Sequence, residues 1–270
     1  MTTEISSSGE YNKFLFEKII NYINDQKPLI HQITNNVTIN DCASVTLNWG
    51  ALPVMAHSSE EVLEMLKKAS ALLLNLGTLS PDRVEAMLRA GREANQLDIP
   101  VILDPVGVGA SELRNEAAER IISNIDLALI KGNKAEITFL AGKTAKIKGV
   151  ESLGNYAGIE ITADRLARKL NTIIAVTSDT DITADGKRIY KFKIGHELMG
   201  EIVGSGCMLG STLAVFAAAA EKLNLELIEA VNTAVYYYSY AGELAAEVES
   251  TPNKFKKEFM DNIYLFSHSI

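Results

Sequence analysis

Gly200-Glu-Ile-Val-Gly-Ser-Gly-Cys-Met-Leu-Gly-Ser211 runs directly into Thr212-Leu-Ala-Val-Phe-Ala-Ala-Ala-Ala220, a glycine turn feeding a long, Ala-rich helical pattern. Such a junction leaves backbone N–H groups without intrahelical acceptors, pointing outward with the positive end of the helix dipole behind them. That arrangement suits a phosphate. Gly204 and Gly206, without Cβ atoms, can take positive φ and admit an anion close to the backbone, with Ser205 between them. Cys207 reads as the first helical residue, its sulfur beside the anion. Taken alone, the same residues would also make a plain helix entry packed through small side chains.

The segments upstream favour the first reading. Ala71-Leu-Leu-Leu-Asn-Leu76, Ile99-Pro-Val-Ile-Leu-Asp104, Leu127-Ala-Leu-Ile130 and Ile173-Ile-Ala-Val-Thr177 are almost wholly apolar runs of strand length. Between them lie helices predicted from Ser80-Pro81 to Gln96, from Glu112 to Ser123 and from Thr162 to Leu170. Apolar strands alternating with helices imply an α/β fold with a mostly parallel central sheet and helices on both faces. Earlier in the chain a helix is expected over Tyr11–Ile23. Next comes a loop from Leu29 that turns helical over Ile39–Trp49 and stops at Gly50. A short strand over Ala51–Ala56 follows, then a helix capped by Ser58 and Ser59 and running through Lys68. Ile182–Ile194 alternates about Asp185-Gly186, as a hairpin does. The remainder is read as helices over Cys207–Leu223 and Glu226–Val248 and after Pro252. No linker divides the chain, so residues 1–270 are read as one domain with a polar tail over about 1–10 and a flexible insertion over Lys143–Ile161.

A net charge of −8 disfavours non-specific nucleic-acid binding, which needs a basic surface. Two cysteines, far apart and without metal-ligand spacing, point to a reducing compartment. Ile202–Ala220 approaches the length of a membrane span, but its glycines and hydroxyls mark a buried core helix. The N-terminus lacks a signal peptide's apolar core, and a cytoplasmic protein without a membrane partner is expected.

Ligands of parallel sheets sit beyond the carboxyl ends of the strands, here Asn75, Asp104, Lys131 and Thr177. Two phosphate motifs are near misses. Ala141-Gly142-Lys143-Thr144 echoes a P-loop but lacks its first glycine and ends a helix; Gly204-Ser-Gly206-Cys-Met-Leu-Gly210 follows a hairpin rather than a first strand. Ile130-Lys-Gly-Asn-Lys-Ala-Glu136 is more informative. Asn133 and Glu136 have capping-box spacing, and Glu136 would also reach the sheet edge near Asp104. Two carboxylates there suit Mg²⁺, which takes one or two carboxylates with waters and substrate phosphates, and Lys131 would be a point charge on those phosphates. Met55 reads as core, Thr177 as a strand hydroxyl, and His31, His57 and His196 as polar loop histidines without chemistry.

Six stretches then fall into one order: His31-Gln-Ile-Thr-Asn-Asn-Val37, Pro53-Val-Met-Ala-His57, Leu103-Asp-Pro-Val-Gly-Val-Gly-Ala110, Gly132-Asn-Lys-Ala-Glu-Ile137, Ala175-Val-Thr177 and Gly204-Ser-Gly-Cys-Met-Leu209. With them the chain resembles the hydroxyethylthiazole kinases, from about Pro28 to the final helices. The resemblance implies a ribokinase-like fold. The activity it implies is transfer of the ATP γ-phosphoryl group to the hydroxyl of 4-methyl-5-(2-hydroxyethyl)thiazole in thiamine-precursor salvage. It further implies Met55 and Gly204 at the thiazole, Lys131 and Thr177 at ATP, Asp104 and Glu136 near Mg²⁺, and Cys207 beside the reacting hydroxyl. A homotrimer with sites between subunits is implied as well. Lys131 stands where the family usually has arginine, Leu52 where serine is commoner, and Ser178 where glycine is usual. Rival readings are a kinase of another small alcohol, an ATP-dependent dehydratase of the same fold, and a nucleotide-binding protein without turnover.

Overall fold

Strands apolar at every position need cover on both faces, and they have it. The computed structural model describes residues 2–6, 11–142, 147–148, 151–152 and 156–269. The chain begins β1 (Thr2–Ser6), α1 (Lys13–Gln26), β2 (Leu29–Ile33), α2 (Ile39–Asn48), β3 (Leu52–Val54), α3 (Val62–Leu66) and β4 (Ala71–Asn75). It continues α4 (Pro81–Gln96), β5 (Val101–Asp104), α5 (Glu112–Asn124), β6 (Leu129–Asn133), α6 (Lys134–Leu140), β7 (Ile147–Lys148), β8 (Glu151–Ser152) and α7 (Ile159–Leu170). It ends β9 (Ile173–Thr177), β10 (Asp181–Ala184), β11 (Ile189–Lys193), α8 (Leu198–Glu201), α9 (Ser205–Leu223), α10 (Leu227–Val248) and α11 (Pro252–His268). The main sheet has the order β1-β11-β10-β9-β6-β5-β4-β2-β3. Its body from β3 to β9 is parallel, and the β10–β11 hairpin adds the antiparallel part.

Side chains alternate across each strand, so every inner strand feeds two cores. Ala71 and Leu73 of β4 face α9, α10 and α1; Leu72 and Leu74 face the layer of α4, α5 and α7. Helix α9 is buried without interruption from Met208 to Ala220. It is long and apolar enough to cross a membrane, but 72% of its most apolar window lies inside the protein, which makes it the central core helix expected. Ser80 caps α4 through the Arg83 N–H, with Pro81 at the first helical position, also as expected.

Several local readings change. The segment after Leu29 is not a loop but the inner strand β2. Its polar His31 and Gln32 disguise it, yet Gln32 is satisfied from both sides, donating to Thr46 Oγ1 and accepting from Ser211 Oγ, each at 2.8 Å. The polar tail contains β1, paired parallel with β11 in the register Thr2↔Ile189 to Ser6↔Lys193. Helix α3 is shorter than read; Ser58 accepts the Glu61 and Val62 N–H groups with its carbonyl and the Glu60 N–H with its hydroxyl, ahead of the helix. Helix α8 was not anticipated. Of the stretch read as an insertion, residues 143–146, 149–150 and 153–155 lie outside the described residues; β7 and β8 pair antiparallel, and α7 already begins at Ile159.

The end of α2 is tied to α9 by Trp49 Nε1–H donating to Thr212 Oγ1 at 2.9 Å, with both residues fully buried. Thr212→Val keeps the shape but strands the indole N–H, so urea unfolding should report a loss of about 1–3 kcal/mol.

Candidate functional site

The loop before α9 becomes a cradle through one glycine. Gly204 has φ 90°, and a Cβ there would lie 2.7 Å from Thr38 Cγ2, so both backbone and space require glycine. The first bond of the helix runs from Met208 N–H to the Gly204 carbonyl at 2.8 Å. The amides of Ser205, Gly206 and Cys207 therefore precede the helical ladder. Behind them the Tyr238 hydroxyl donates to the Ser205 carbonyl at 2.6 Å, pinning the turn to α10. Two details differ from the reading of the sequence. The helix starts at Ser205, so Cys207 is its third residue, and Gly206 is helical rather than at positive φ. Gly206 is small for another reason: a Cβ would stand 3.2 Å from Lys131 Nζ.

Under this junction the strand ends converge. Lys131 Nζ pairs with Asp104 Oδ2 at 3.1 Å, both side chains almost wholly buried. Asn75 Nδ2 lies 3.1 Å from the same Asp104 oxygen and 3.4 Å from Cys207 Sγ, and Asn35 Nδ2 is also 3.4 Å from that sulfur. Among the described residues, Asp104 Oδ1 is buried without a hydrogen-bond partner. Burial works against the Lys131 ammonium, but Asp104, Cys207 and Glu136 outweigh it and hold its pKa above the ordinary value. Burial and then Asp104 push the Cys207 thiol up, against Lys131, so the group is a thiol at neutral pH. Glu136 forms the expected capping box, and its two oxygens accept the Asn133 N–H at 2.7 Å and the Gly107 N–H at 2.8 Å. Burial and the neighbouring Asp104 raise its carboxyl to about 7, while Lys131 and the two amides oppose the rise.

Asp104, Lys131 and Cys207 are thus brought together, with Glu136 beside them. Met55, just beyond β3, and Thr177, at the end of β9 opposite Asn133, share no hydrogen bond with that cluster among the described residues; they flank it along the same edge of the sheet. Cys42 and Cys207 are both free thiols.

Asn35, Asn75 and His31 were missed as site-building residues. Asn75 ends an otherwise apolar strand, and Asn35 sits in a stretch already singled out; a buried carboxamide at a strand's carboxyl end was the available signal. His31 is not a loop histidine. It is fully buried in β2, and its Nε2 lies 2.7 Å from the Ala56 carbonyl. A carbonyl can only accept, so Nε2 carries the proton and holds the loop next to Met55. Burial lowers the pKa of the ring, against that hydrogen bond and the charge of Glu61. His57 and His196 are exposed loop residues, as read.

Residues 20–269 match the hydroxyethylthiazole kinase family. The chain is 47% identical over 250 residues to a hydroxyethylthiazole kinase of Thermoanaerobacter sp. (strain X514), covering 92% of this chain and 94% of the relative. It is 45% identical to one from Methanocella arvoryzae, over 91% of each. Its backbone superposes on the structure of a hydroxyethylthiazole kinase from Pyrococcus horikoshii OT3 with a TM-score of 0.83 and 34% identity, over 93% of both chains. A ribokinase-like superfamily protein from Enterococcus faecalis V583 shares the fold, with a TM-score of 0.67 at 14% identity over 98% of this chain and 96% of that one.

The histidine gives a pH test. With its pKa below the ordinary 6.5, the native state prefers the neutral ring. That preference is fully available above 6.5 and is lost progressively as pH falls through the folded-state value. Between pH 7 and pH 5.5 the urea midpoint of wild type should therefore fall relative to that of His31→Gln, a difference from which the opposite contribution of the raised Glu136 carboxyl cancels.

Proposed function

The chain belongs to the hydroxyethylthiazole kinase family and catalyses ATP-dependent phosphorylation of hydroxyethylthiazole, and we propose that the transfer takes place at the Gly204–Cys207 junction. The observation that carries this location is the Cys207 sulfur, on the third residue of α9 beside amides that precede the helical ladder, within the cluster of Asp104, Lys131 and Asn75.

Phosphoryl transfer passes through a loose transition state, so the site's work is alignment and charge stabilisation. The amides of Ser205, Gly206 and Cys207 hold the transferred group, oriented before the reaction and needing no rearrangement during it. Lys131 adds a buried positive charge; it acts as a point charge and lacks the two-pronged grip of arginine. Thr177 contacts ATP at the far side of the cluster. Met55 and Gly204 hold the thiazole, and the loop of Met55 is kept in place by His31. Cys207 faces the acceptor hydroxyl and orients it; its thiolate form takes the hydroxyl proton as the bond from that oxygen to the γ-phosphorus forms and the bond from the γ-phosphorus to the bridging oxygen of ADP breaks. A raised thiol pKa makes the thiolate scarce at neutral pH, which limits its contribution, and little proton removal is needed in a loose transition state.

Asp104 and Glu136 would hold Mg²⁺. The fit rests on hard oxygen donors and on Asp104 Oδ1, buried without a partner. No cluster of three or more His, Cys, Asp or Glu suited to a metal occurs among the described residues. That suits an ion whose remaining ligands are water and phosphate. When bound, Mg²⁺ neutralises and orients the nucleotide phosphates. We read residues 1–270 as one kinase domain, cytoplasmic, forming a homotrimer with sites between subunits and engaging neither nucleic acid nor membrane.

Mass analysis after incubation with Mg-ATP and the thiazole alcohol should find the phosphorylated thiazole and ADP. Phosphate release without a phosphorylated alcohol would show a dehydratase-like or idle nucleotide turnover instead. Cys207→Ala should lower kcat about 100-fold, the low end for a proton-transfer group. Cys207→Asp should stay active because a carboxylate accepts a proton equally well; a folded, ATP-binding but inactive Cys207→Asp would overturn the proton-accepting role, as would a Cys207→Ser enzyme as fast as wild type.

A further inference from the structure

Asn35 and Asn75 arrive from different elements, the loop after β2 and the end of β4, and meet at one sulfur atom. Both are buried, at 4% and 0% exposure. The orientation of each carboxamide is decided by its oxygen. Asn35 Oδ1 accepts the Val37 and Thr38 N–H groups, each at 3.0 Å. Asn75 Oδ1 accepts the Gly77 N–H at 3.0 Å and Asn35 Nδ2 at 3.1 Å. A backbone N–H can only donate, so the oxygen ends are assigned by chemistry, and both Nδ2 ends must turn toward Cys207 Sγ.

We propose that Asn35 and Asn75 are positioning residues for phosphoryl transfer, gripping the Cys207 sulfur with two N–H donors so that its remaining direction is held toward the acceptor hydroxyl. The assignment rests on Cys207 acting as described above. A sulfur on a short side chain otherwise swings between χ1 rotamers. Two donors of fixed orientation select one position. Carboxamides in an interior are costly unless every polar group is used; Asn35 Nδ2 shares its two hydrogens among Thr38 Oγ1 at 2.9 Å, Asn75 Oδ1 at 3.1 Å and the sulfur at 3.4 Å, while Asn75 Nδ2 divides its two between Asp104 Oδ2 and the sulfur. Asn75 thereby ties the position of the thiol to that of the Asp104 carboxylate. Packing alone would be served by apolar side chains of the same size.

A double-mutant cycle separates this role from a structural one. Asn35→Asp keeps the oxygen that accepts the Val37 and Thr38 amides and removes the N–H donors; Asn75→Ala removes the second grip. Each is made in wild type and in Cys207→Ala, with thermal unfolding as the check on folding. With the thiol present, kcat should fall about tenfold with both KM values within about twofold; without it, the same changes should move kcat by less than about twofold. An equal loss in both backgrounds, or none in wild type, overturns the proposal. A Cys207→Ala enzyme as fast as wild type would instead sink the role of Cys207 itself. If Cys207→Ala turns over too slowly to measure, iodoacetamide alkylation of Cys207 decides. Cys42 is fully buried, so Cys207 is the reporting thiol. Alkylation should slow several-fold in Asn75→Ala, and an unchanged rate overturns the proposal.

Discussion

The constraint on which the rest depends is the burial of α9. A helix apolar on every side can lie only in the middle of the protein, between the sheet and the α1/α10 layer. Its N-terminal turns lie where β4 and β5 end, since the helix packs along those two strands with Gly210 against Asp104 and Leu73. Asn75 and Asp104, which close β4 and β5, and Lys131, midway along β6, are thereby placed beneath the amides of Ser205, Gly206 and Cys207. No separate device is needed to assemble the site. The hydrophobic effect assembles it, and the polar residues only have to tolerate where they are put.

That tolerance explains the electrostatics. At the proposed site, a chain of net charge −8 would bind a polyanion in a place where its overall charge matters little. Surface charges are screened over about 10 Å at moderate ionic strength, whereas oriented amides and a buried ammonium act at contact distance in a medium of low dielectric. Asp104 keeps Lys131 charged, and Lys131 in turn limits how far the Cys207 thiol is pushed up. A guanidinium would be bulkier in this spot. The distance of 3.2 Å from Lys131 Nζ to the place a Gly206 Cβ would occupy indicates how little room is left.

Much of this was legible in the sequence. The apolar strands and their helices followed from runs of Leu, Ile and Val with capping signals such as Ser80-Pro81, and the nearness of Asp104, Glu136 and Cys207 followed from their places at strand and helix ends, while their roles in transfer are the proposal. What escaped was polar and buried. Gln32 and His31 read as loop because hydrophobicity is the primary signal for a strand, and nothing in a linear pattern reveals that Thr46, Ser211 and the Ala56 carbonyl will satisfy them. Asn35 and Asn75 escaped for the same reason: the hydrogen bonds that make them affordable come from residues distant in sequence. Gly206 shows the converse error. Its smallness was legible, but the cause was assigned to backbone freedom when the cause is a neighbouring ammonium.

Strand β1 makes the outermost strand of the sheet from the first residues of the chain, while its partner β11 lies some 190 positions further on, at Ile189–Lys193. Synthesis from the amino end makes β1 long before the strand it pairs with. Its Thr2, Thr3, Glu4 and Ser6 are exposed and only Ile5 is buried, and the Glu4–Lys193 pair leaves a charged rim on the edge, a poor template for the strand of another molecule.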